Sequence, residues 1–383
     1  MMIDNTPDLT SVCQRFATAP YITIDTEFIR EKTYYPDLCL IQIASPTEAY
    51  CIDPLAKEMD LTALFDLLQN PDVVKVFHAG RQDIEIFYHL SGKIPSPLFD
   101  TQVGAMVCGF GDNVSYQQLV QTIVGVSLDK SMRCTNWAKR PLTPEQIQYA
   151  LYDVTYLRQV YEYMCDTLVE NNRMPWIHDE LKVLLNKETY HPSDELLIEK
   201  LHLPVNKPQA IHVYRQLYLW RENMARLKNR PRRFLIKDEL LQELSLLCPT
   251  TPEQLTGLRG VGAHFEKTAI AGEILHVIQK ALQDDLKHIK IFRPIKALTP
   301  HERNLADILK LLLNIVSVQE KIAVSLIACS EDITQFIHGK DVPFLSGWRY
   351  QVFGQKAEMV QNGLLSIRYD PQQKQIEFYT VTE

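Results

Sequence analysis

Four acids and one phenol in this 383-residue chain stand where they could do chemistry together. Asp25 and Glu27 lie in "YITIDTEFIR", a run that reads as a buried strand. Side chains alternate along a strand, so Ile22, Ile24, Thr26 and Phe28 share one face while Thr23, Asp25 and Glu27 share the other. Two carboxylates on one face repel each other and resist desolvation, so the pair needs water access or a cation between them. Asp83 follows in "KVFHAGRQDIEIF", where strand gives way to helix, at the loop end of an α/β sheet where ligand sites gather. Asp153, in "QYALYDVTYL", comes four residues after Tyr149, so acid and phenol share a helix face while Ile147, Ala150, Leu151 and Val154 form the apolar stripe. Carboxylates drawn from a strand, a helix start and a late helix match what two hard divalent cations require: oxygen ligands, negative charge and open positions for water and phosphate. Two such ions stabilise both the attacking and the leaving oxygen of an in-line displacement.

Taken singly, each group has an ordinary explanation. Asp25 and Glu27 fit a solvated strand face, Asp83 a helix N-terminal acid favoured by the macrodipole, and Asp153 a surface helix position. His78 reads as structural, and Asp100 in "LFDTQVGA" as a turn or capping carboxylate.

The elements that must hold these groups follow from periodicity. "YITIDTEFIR", "LCLIQIAS" and "EAYCIDPL" form a three-stranded antiparallel meander over residues 20–53. The period then changes: "LTALFDLLQN" is helical, "VVKVFHAG" a compact strand, and "DIEIFYHLSG" a helix stopped by Gly92. A meander followed by alternating helix and strand predicts an α/β domain with a mixed sheet. "SYQQLVQTIVG" and "TPEQIQYALYDVTYLRQVYEYM" are further helices, the second opening with Thr143 as N-cap, Pro144 at the first helical position and Gln146 completing a capping box. Strand signals largely vanish after residue 171. Residues 171–206 read as a linker of short amphipathic helices, and 207–290 and 295–370 as two all-helical units that look like a diverged repeat.

Composition sets limits. A hydrophobic content of 46% with 23% charged residues is globular, and the length predicts two or three domains. The eight cysteines lie far apart without zinc-site spacing, which predicts reduced thiols. The polar, acidic start "MMIDNTPDLT" and the absence of a long apolar run predict a soluble, cytoplasmic protein. Charge is uneven: residues 1–170 hold 12 Lys+Arg against 22 Asp+Glu, net −10, and residues 171–383 hold 28 against 25, net +3. The acidic part suits metal binding and the more basic part a polyanion.

The runs "DTEFIREKTYYPDLCLIQI", "KVFHAGRQDIEIF", "LFDTQVGAMVCG", "LDKSMRCTNWAKRPLTPEQIQYALYDVTYL" and "LSGWR" resemble the ribonuclease D family of the DEDD exonuclease superfamily. The Tyr-x-x-x-Asp form of the last catalytic motif marks the subfamily with tyrosine there. The resemblance implies a ribonuclease H-like α/β exonuclease domain at 1–170 and metal ligands Asp25, Glu27, Asp83 and Asp153, with Tyr149 positioning or helping to deprotonate the water. It implies two divalent cations, Mg²⁺ or Mn²⁺, and 3′-end trimming of tRNA precursors or other structured RNAs with free 3′ ends, releasing 5′ mononucleotides. A phenol with an ordinary pKa near ~10 is mostly protonated at neutral pH, which favours orienting the water over abstracting its proton.

The run "WRENMARLKNRPRRFLIK" contains seven Lys+Arg and one acid. Together with "LRGVG" it resembles the start of an HRDC domain, a helical nucleic-acid-binding module. Trp220, Arg221, Arg226, Lys228, Arg230, Arg232 and Arg233 are therefore expected to meet phosphate, although a solvated helix end explains the same charge. Residues 207–290 form the first such domain, 295–370 a diverged second, and 371–383 a tail or short hairpin. Neither a membrane nor an obligate protein partner is expected. Two other functions fit the motifs: a DNA 3′ exonuclease, because the chemistry ignores the 2′ hydroxyl, and an inactive RNA-binding adaptor, against which the intact acids argue.

Overall fold

The computed structural model describes residues 1–383 except 130, 200, 202, 204–206, 260, 263, 287–296 and 382–383. Gly260 of "LRGVG" and the expected domain limits at 206, 290 and 295 lie outside the described residues.

The apolar runs form a six-stranded sheet in the order β1-β4-β3-β2-β5-β6. Its strands are β1 (Met2–Ile3), β2 (Tyr21–Ile29), β3 (Asp37–Ala44), β4 (Ala49–Ile52), β5 (Val74–Phe77) and β6 (Leu98–Asp100). β3 sits between β2 and β4 and runs antiparallel to β4, while β5 pairs in parallel with both β2 and β6, so the sheet is mixed. The edge strand β1, parallel to β4, has no signal in the sequence because two residues are too few to show a period. Lys75 on β5 is fully buried; its Nζ donates to the carbonyls of Asn70 and Val73 at 2.7 Å and of Ser96 at 2.5 Å, which satisfies all three of its protons.

The helices in the first half are α1 (Thr6–Phe16), α2 (Thr62–Leu68), α3 (Arg81–Ser91), α4 (Thr101–Val107), α5 (Tyr116–Ile123), α6 (Pro144–Glu170) and α7 (Met174–Leu185). Gly92 ends α3 in the left-handed conformation at φ 73°, which a glycine adopts without steric cost. The capping box of α6 forms: the Gln146 amide donates to Thr143 Oγ1 at 3.2 Å, and the Thr143 amide to Gln146 Oε1 at 3.0 Å. There follow α8 (Asp194–Glu199), α9 (Pro208–Leu227), α10 (Arg232–Leu235), α11 (Asp238–Leu247), α12 (Ala269–Ala281), α13 (Pro300–Glu320), α14 (Val324–Ile327), α15 (Ser330–Ile337), α16 (Gly347–Arg349) and α17 (Gln355–Gln361). The chain finishes in an antiparallel hairpin of β7 (Leu365–Asp370) and β8 (Gln375–Thr380), so strand begins inside the segment expected to be helical to residue 370. Among the described residues no helix is long and apolar enough to cross a membrane.

Two compact units emerge, and neither is continuous in sequence. One comprises Met1–Glu27, Leu40–Leu185 and Lys296–Glu383; the other comprises Phe28–Cys39 and Asn186–Ile295. In the first, the C-terminal helices pack on those of the sheet domain. The Ala323 amide donates to the Met106 carbonyl at 2.9 Å, and the indoles of Trp176 and Trp348 stack with centroids 4.7 Å apart. Glu180 accepts from Trp348 Nε1 at 3.2 Å and from Arg349 at 2.6 Å. In the second unit, α9, α11 and α12 bury Val213, Leu217, Leu241, Leu244, Ile274 and Ile278.

Candidate active site

Three elements converge on the acids. Thr23 on β2 donates its hydroxyl to the Val154 carbonyl of α6 at 2.8 Å, so the strand face it shares with Asp25 and Glu27 turns toward that helix. Asp25, Glu27 and Asp153 can each offer one carboxylate oxygen with all of these atoms within 4.8 Å of one another. Asp83 is not one of the three; it lies at the start of α3, buried, with Oδ1 accepting the Thr26 hydroxyl.

The turn that presents Asp83 is held by Asp100. This carboxylate is 2% exposed and accepts the amides of Ala79 at 3.1 Å, Gly80 at 2.8 Å and Gln102 at 2.8 Å. It thereby holds Ala79 in the left-handed region at φ 54°, a conformation that costs a side-chain-bearing residue on the order of 1 kcal/mol. Gly80 is required beside it, because a Cβ there would lie 2.4 Å from that of Phe77. Asp100 is thus a capping carboxylate, and His78 sits behind the turn with Nδ1 3.0 Å from Thr101 Oγ1.

Crowding of like charges shows in the protonation of the acids. Burial, then repulsion from Asp83, Asp153 and Glu27, holds Asp25 well above the usual carboxylate range. Burial, then Asp153 and Asp83, pushes Glu27 up to about 8. Burial raises Asp153 to about 7, and it raises Asp83 to about 6 against the opposing Thr26 hydrogen bond. Burial and the neighbouring Asp153, Glu27 and Asp25 raise the Tyr149 phenol as well, so in the metal-free protein it keeps its proton.

A cavity of about 390 Å³ opens over Asp25, Asp153 and Tyr149, with His78, Tyr116 and Arg133 also in its lining. Arg133 lies inside the run "LDKSMRCTNWAKRPL", but the sequence assigns it no role of its own. Its positive charge opposes the upward shifts of Glu27 and Tyr149. Its loop is anchored by Arg140, which forks onto Asp53 with two contacts of 2.7 Å and donates to the Trp137 carbonyl at 2.7 Å. Gln146 Nε2 on α6 also binds Thr135 Oγ1 at 3.0 Å. An exposed loop arginine carries no periodic signal, so its role beside the acids becomes visible in the fold.

The basic run divides. Arg221, expected to meet phosphate, is 2% exposed; it donates to the Ile236 carbonyl at 3.0 Å and pairs with Asp238 at 2.7 Å, leaving no open face for a phosphate. Arg226 and Arg232 converge on the buried Glu222, and Arg232 lies over the Tyr34 ring, 5.0 Å from its centroid. The Tyr34 hydroxyl donates to Glu222 Oε1 at 2.5 Å, and Asn229 Oδ1 accepts the amides of Tyr34 and Tyr35 at 3.0 Å. Trp220 Nε1 donates to Glu273 at 3.0 Å. These four expected phosphate contacts therefore have structural work, because a single buried glutamate and its neighbours draw the cations inward. Lys228, Arg230 and Arg233 remain exposed.

Residues 1–168 match a 3′–5′ exonuclease family and residues 211–278 an HRDC domain. Ribonuclease D of Bartonella henselae is 43% identical over 365 residues, 94% of this chain and 90% of that protein. Ribonuclease D of Nitrobacter hamburgensis is 40% identical over 369 residues, 96% of both. The crystal structure of Escherichia coli RNase D, an exoribonuclease involved in structured RNA processing, superposes with a TM-score of 0.78 at 27% identity, covering 95% of this chain and 98% of that one. Identity of this extent, spanning both the exonuclease and the HRDC regions, means that the chain belongs to the ribonuclease D family of 3′–5′ exoribonucleases.

Proposed function

We propose that this exoribonuclease removes nucleotides from the 3′ ends of structured RNAs, tRNA precursors among them, through two divalent cations held by Asp25, Glu27, Asp83 and Asp153. The observation that carries the reading is the convergence of Asp25, Glu27 and Asp153 within 4.8 Å, with their proton affinities raised. Three crowded carboxylates are costly unless a cation neutralises them, and an all-oxygen donor set suits Mg²⁺ or Mn²⁺. Divalent ions bound there would supply a low-pKa nucleophilic water and charge stabilisation for the leaving oxygen. Asp25, whose carboxylate feels the charges of Asp83, Asp153 and Glu27 alike, would be one of the residues holding the cations. Tyr149, protonated and one helical turn from Asp153, orients the attacking water by hydrogen bond. Arg133 offers a guanidinium fork to the phosphate oxygens, whose charge grows in the transition state.

Residues 1–170 would then carry catalysis and residues 207–290 grip the RNA body through Lys228, Arg230 and Arg233. The structured-RNA activity of the Escherichia coli relative supports that choice of substrate. The test is a degradation assay on 3′-extended tRNA and a matched single-stranded DNA, in EDTA and then in Mg²⁺ or Mn²⁺. Metal-dependent trimming of the RNA that a blocked 3′ end prevents is the expected result; preference for the DNA, or cleavage in EDTA, contradicts it.

A further inference from the structure

His78 is tied down at one ring nitrogen and not at the other. Its Nδ1 stands 3.0 Å from Thr101 Oγ1, and that hydroxyl lies 3.1 Å from the Phe77 carbonyl. A carbonyl only accepts, so the single hydroxyl proton goes to Phe77 and Oγ1 must accept from Nδ1–H. Burial keeps the imidazole below its ordinary pKa, against the opposing pull of Asp100, so the ring is neutral at neutral pH. The tautomer is thereby set: Nε2 holds a lone pair and no proton. Among the described residues nothing donates to Nε2. The neighbouring Tyr116 ring, 5.6 Å away between centroids, gives its hydroxyl proton to the Tyr152 carbonyl at 2.8 Å. Yet His78 lines the cavity over Asp25 and Asp153.

A neutral acceptor in a substrate cleft calls for an uncharged donor. Ionised phosphate oxygens only accept. The donors on base edges differ among the four bases, so an enzyme that trims past any of them cannot depend on one. The ribose 2′-hydroxyl is a donor that every RNA nucleotide carries and no DNA nucleotide does. In-line displacement selects which ribose. The attacking water and the leaving oxygen stand on opposite sides of phosphorus, and the water belongs to α6, with Tyr149. The leaving 3′ oxygen then turns away from α6, toward the turn between β5 and α3 that carries His78 and Asp83. Its ribose bears a 2′-hydroxyl on the adjacent carbon. We propose that His78 Nε2 accepts the 2′-hydroxyl of the penultimate nucleotide, the one whose 3′ oxygen leaves, and so makes the enzyme select RNA over DNA. The inference rests on the exonuclease reading above and deepens it, because the metal chemistry alone does not distinguish the two sugars.

Leaving a desolvated acceptor without its donor costs the equivalent of roughly 5- to 150-fold. With single-stranded RNA whose penultimate nucleotide is 2′-deoxy, kcat/KM for the first cleavage should fall at least about 5-fold. A 2′-fluoro group there keeps an electronegative atom but has no proton to give, so it should cause the same loss. Either change at the terminal nucleotide should have little effect. His78→Ala should cleave the all-ribose and penultimate 2′-fluoro strands alike. That ratio holds even if part of the variant misfolds, since both strands meet the same active fraction. A binding readout separates recognition from catalysis: in EDTA the full-length wild type should bind the all-ribose strand more tightly than the 2′-fluoro strand, and His78→Ala should not. This preference without any metal-dependent cleavage would sink the exonuclease reading and leave the His78 contact standing. Equal cleavage of ribose and penultimate 2′-fluoro strands by the wild type, a larger loss from the terminal substitution, or undiminished discrimination in His78→Ala would each overturn the proposal.

Discussion

Replacing Asp25 by asparagine should stabilise the metal-free protein while removing its stabilisation by divalent ions. All four acids have folded-state pKa values above their ordinary ones: Asp25 well above, Glu27 about 8, Asp153 about 7 and Asp83 about 6. The folded protein therefore holds more protons than the unfolded chain, and the stability this gives is complete below about pH 4 and lost as pH rises through 6 to 8. One pKa unit corresponds to about 1.4 kcal/mol, so moving Glu27 from 4.5 to about 8 sets a ceiling of about 5 kcal/mol on its cost. The same repulsions enter every shift, so the costs do not add, and water in a half-open cleft reduces them. Removing one charge should return about 1–3 kcal/mol, or roughly 2–6 °C in the melting of the first unit. The assay is thermal unfolding by circular dichroism in EDTA at pH 5.5 and 8, then with excess Mg²⁺ or Mn²⁺. At pH 8 in EDTA the variant should melt above wild type, the gap should shrink at pH 5.5, and added ions should reverse the order. A variant that melts below wild type in EDTA at pH 8, or a gap that ignores pH, would mean that charge repulsion among the acids does not destabilise the metal-free protein.

Arg133→Gln should lower kcat about 10²-fold with little change in KM, as loss of a donor to developing charge does, and guanidinium added to the assay should partly restore the rate. Neutralising Lys228, Arg230 and Arg233 together should reduce the salt slope of RNA binding by about 2, at about 0.7 per phosphate on a single strand; an unchanged slope would return them to the role of solvated surface. Glu222→Ala, which leaves Arg226 and Arg232 facing each other unpaired, should destabilise the second unit by about 3–5 kcal/mol, seen as an early transition in calorimetry.

The convergence of Asp25, Glu27 and Asp153 is legible in the sequence in so far as its signals are local. Strand alternation puts Asp25 and Glu27 on one face, and a capping box sets the start and hence the phase of α6, which turns Tyr149 and Asp153 toward the sheet. What stays hidden depends on contacts distant in sequence. The stretch Phe28–Cys39 reads as the middle of a meander, yet it packs with the second unit because Asn229 caps its backbone and Glu222 takes the Tyr34 hydroxyl. The count of cations in residues 220–237 overstates the free charge, since one buried glutamate absorbs two arginines and Asp238 a third. Arg133 stands in a loop beside the cavity over the acids, and a loop leaves no period to read.

On the proposed function, the acids of β2, α3 and α6 hold the ions that cleave RNA one nucleotide at a time from its 3′ end. Single-turnover cleavage of a 3′-end-labelled RNA in Mg²⁺ or Mn²⁺ tests it most directly, comparing wild type with Asp25→Asn. The first labelled product of the wild type should be a 5′ mononucleotide, EDTA should suppress its release, and Asp25→Asn should release it at least about 10³-fold more slowly while still binding the RNA. Internal fragments as the first labelled product, or near-normal release by Asp25→Asn, would contradict it.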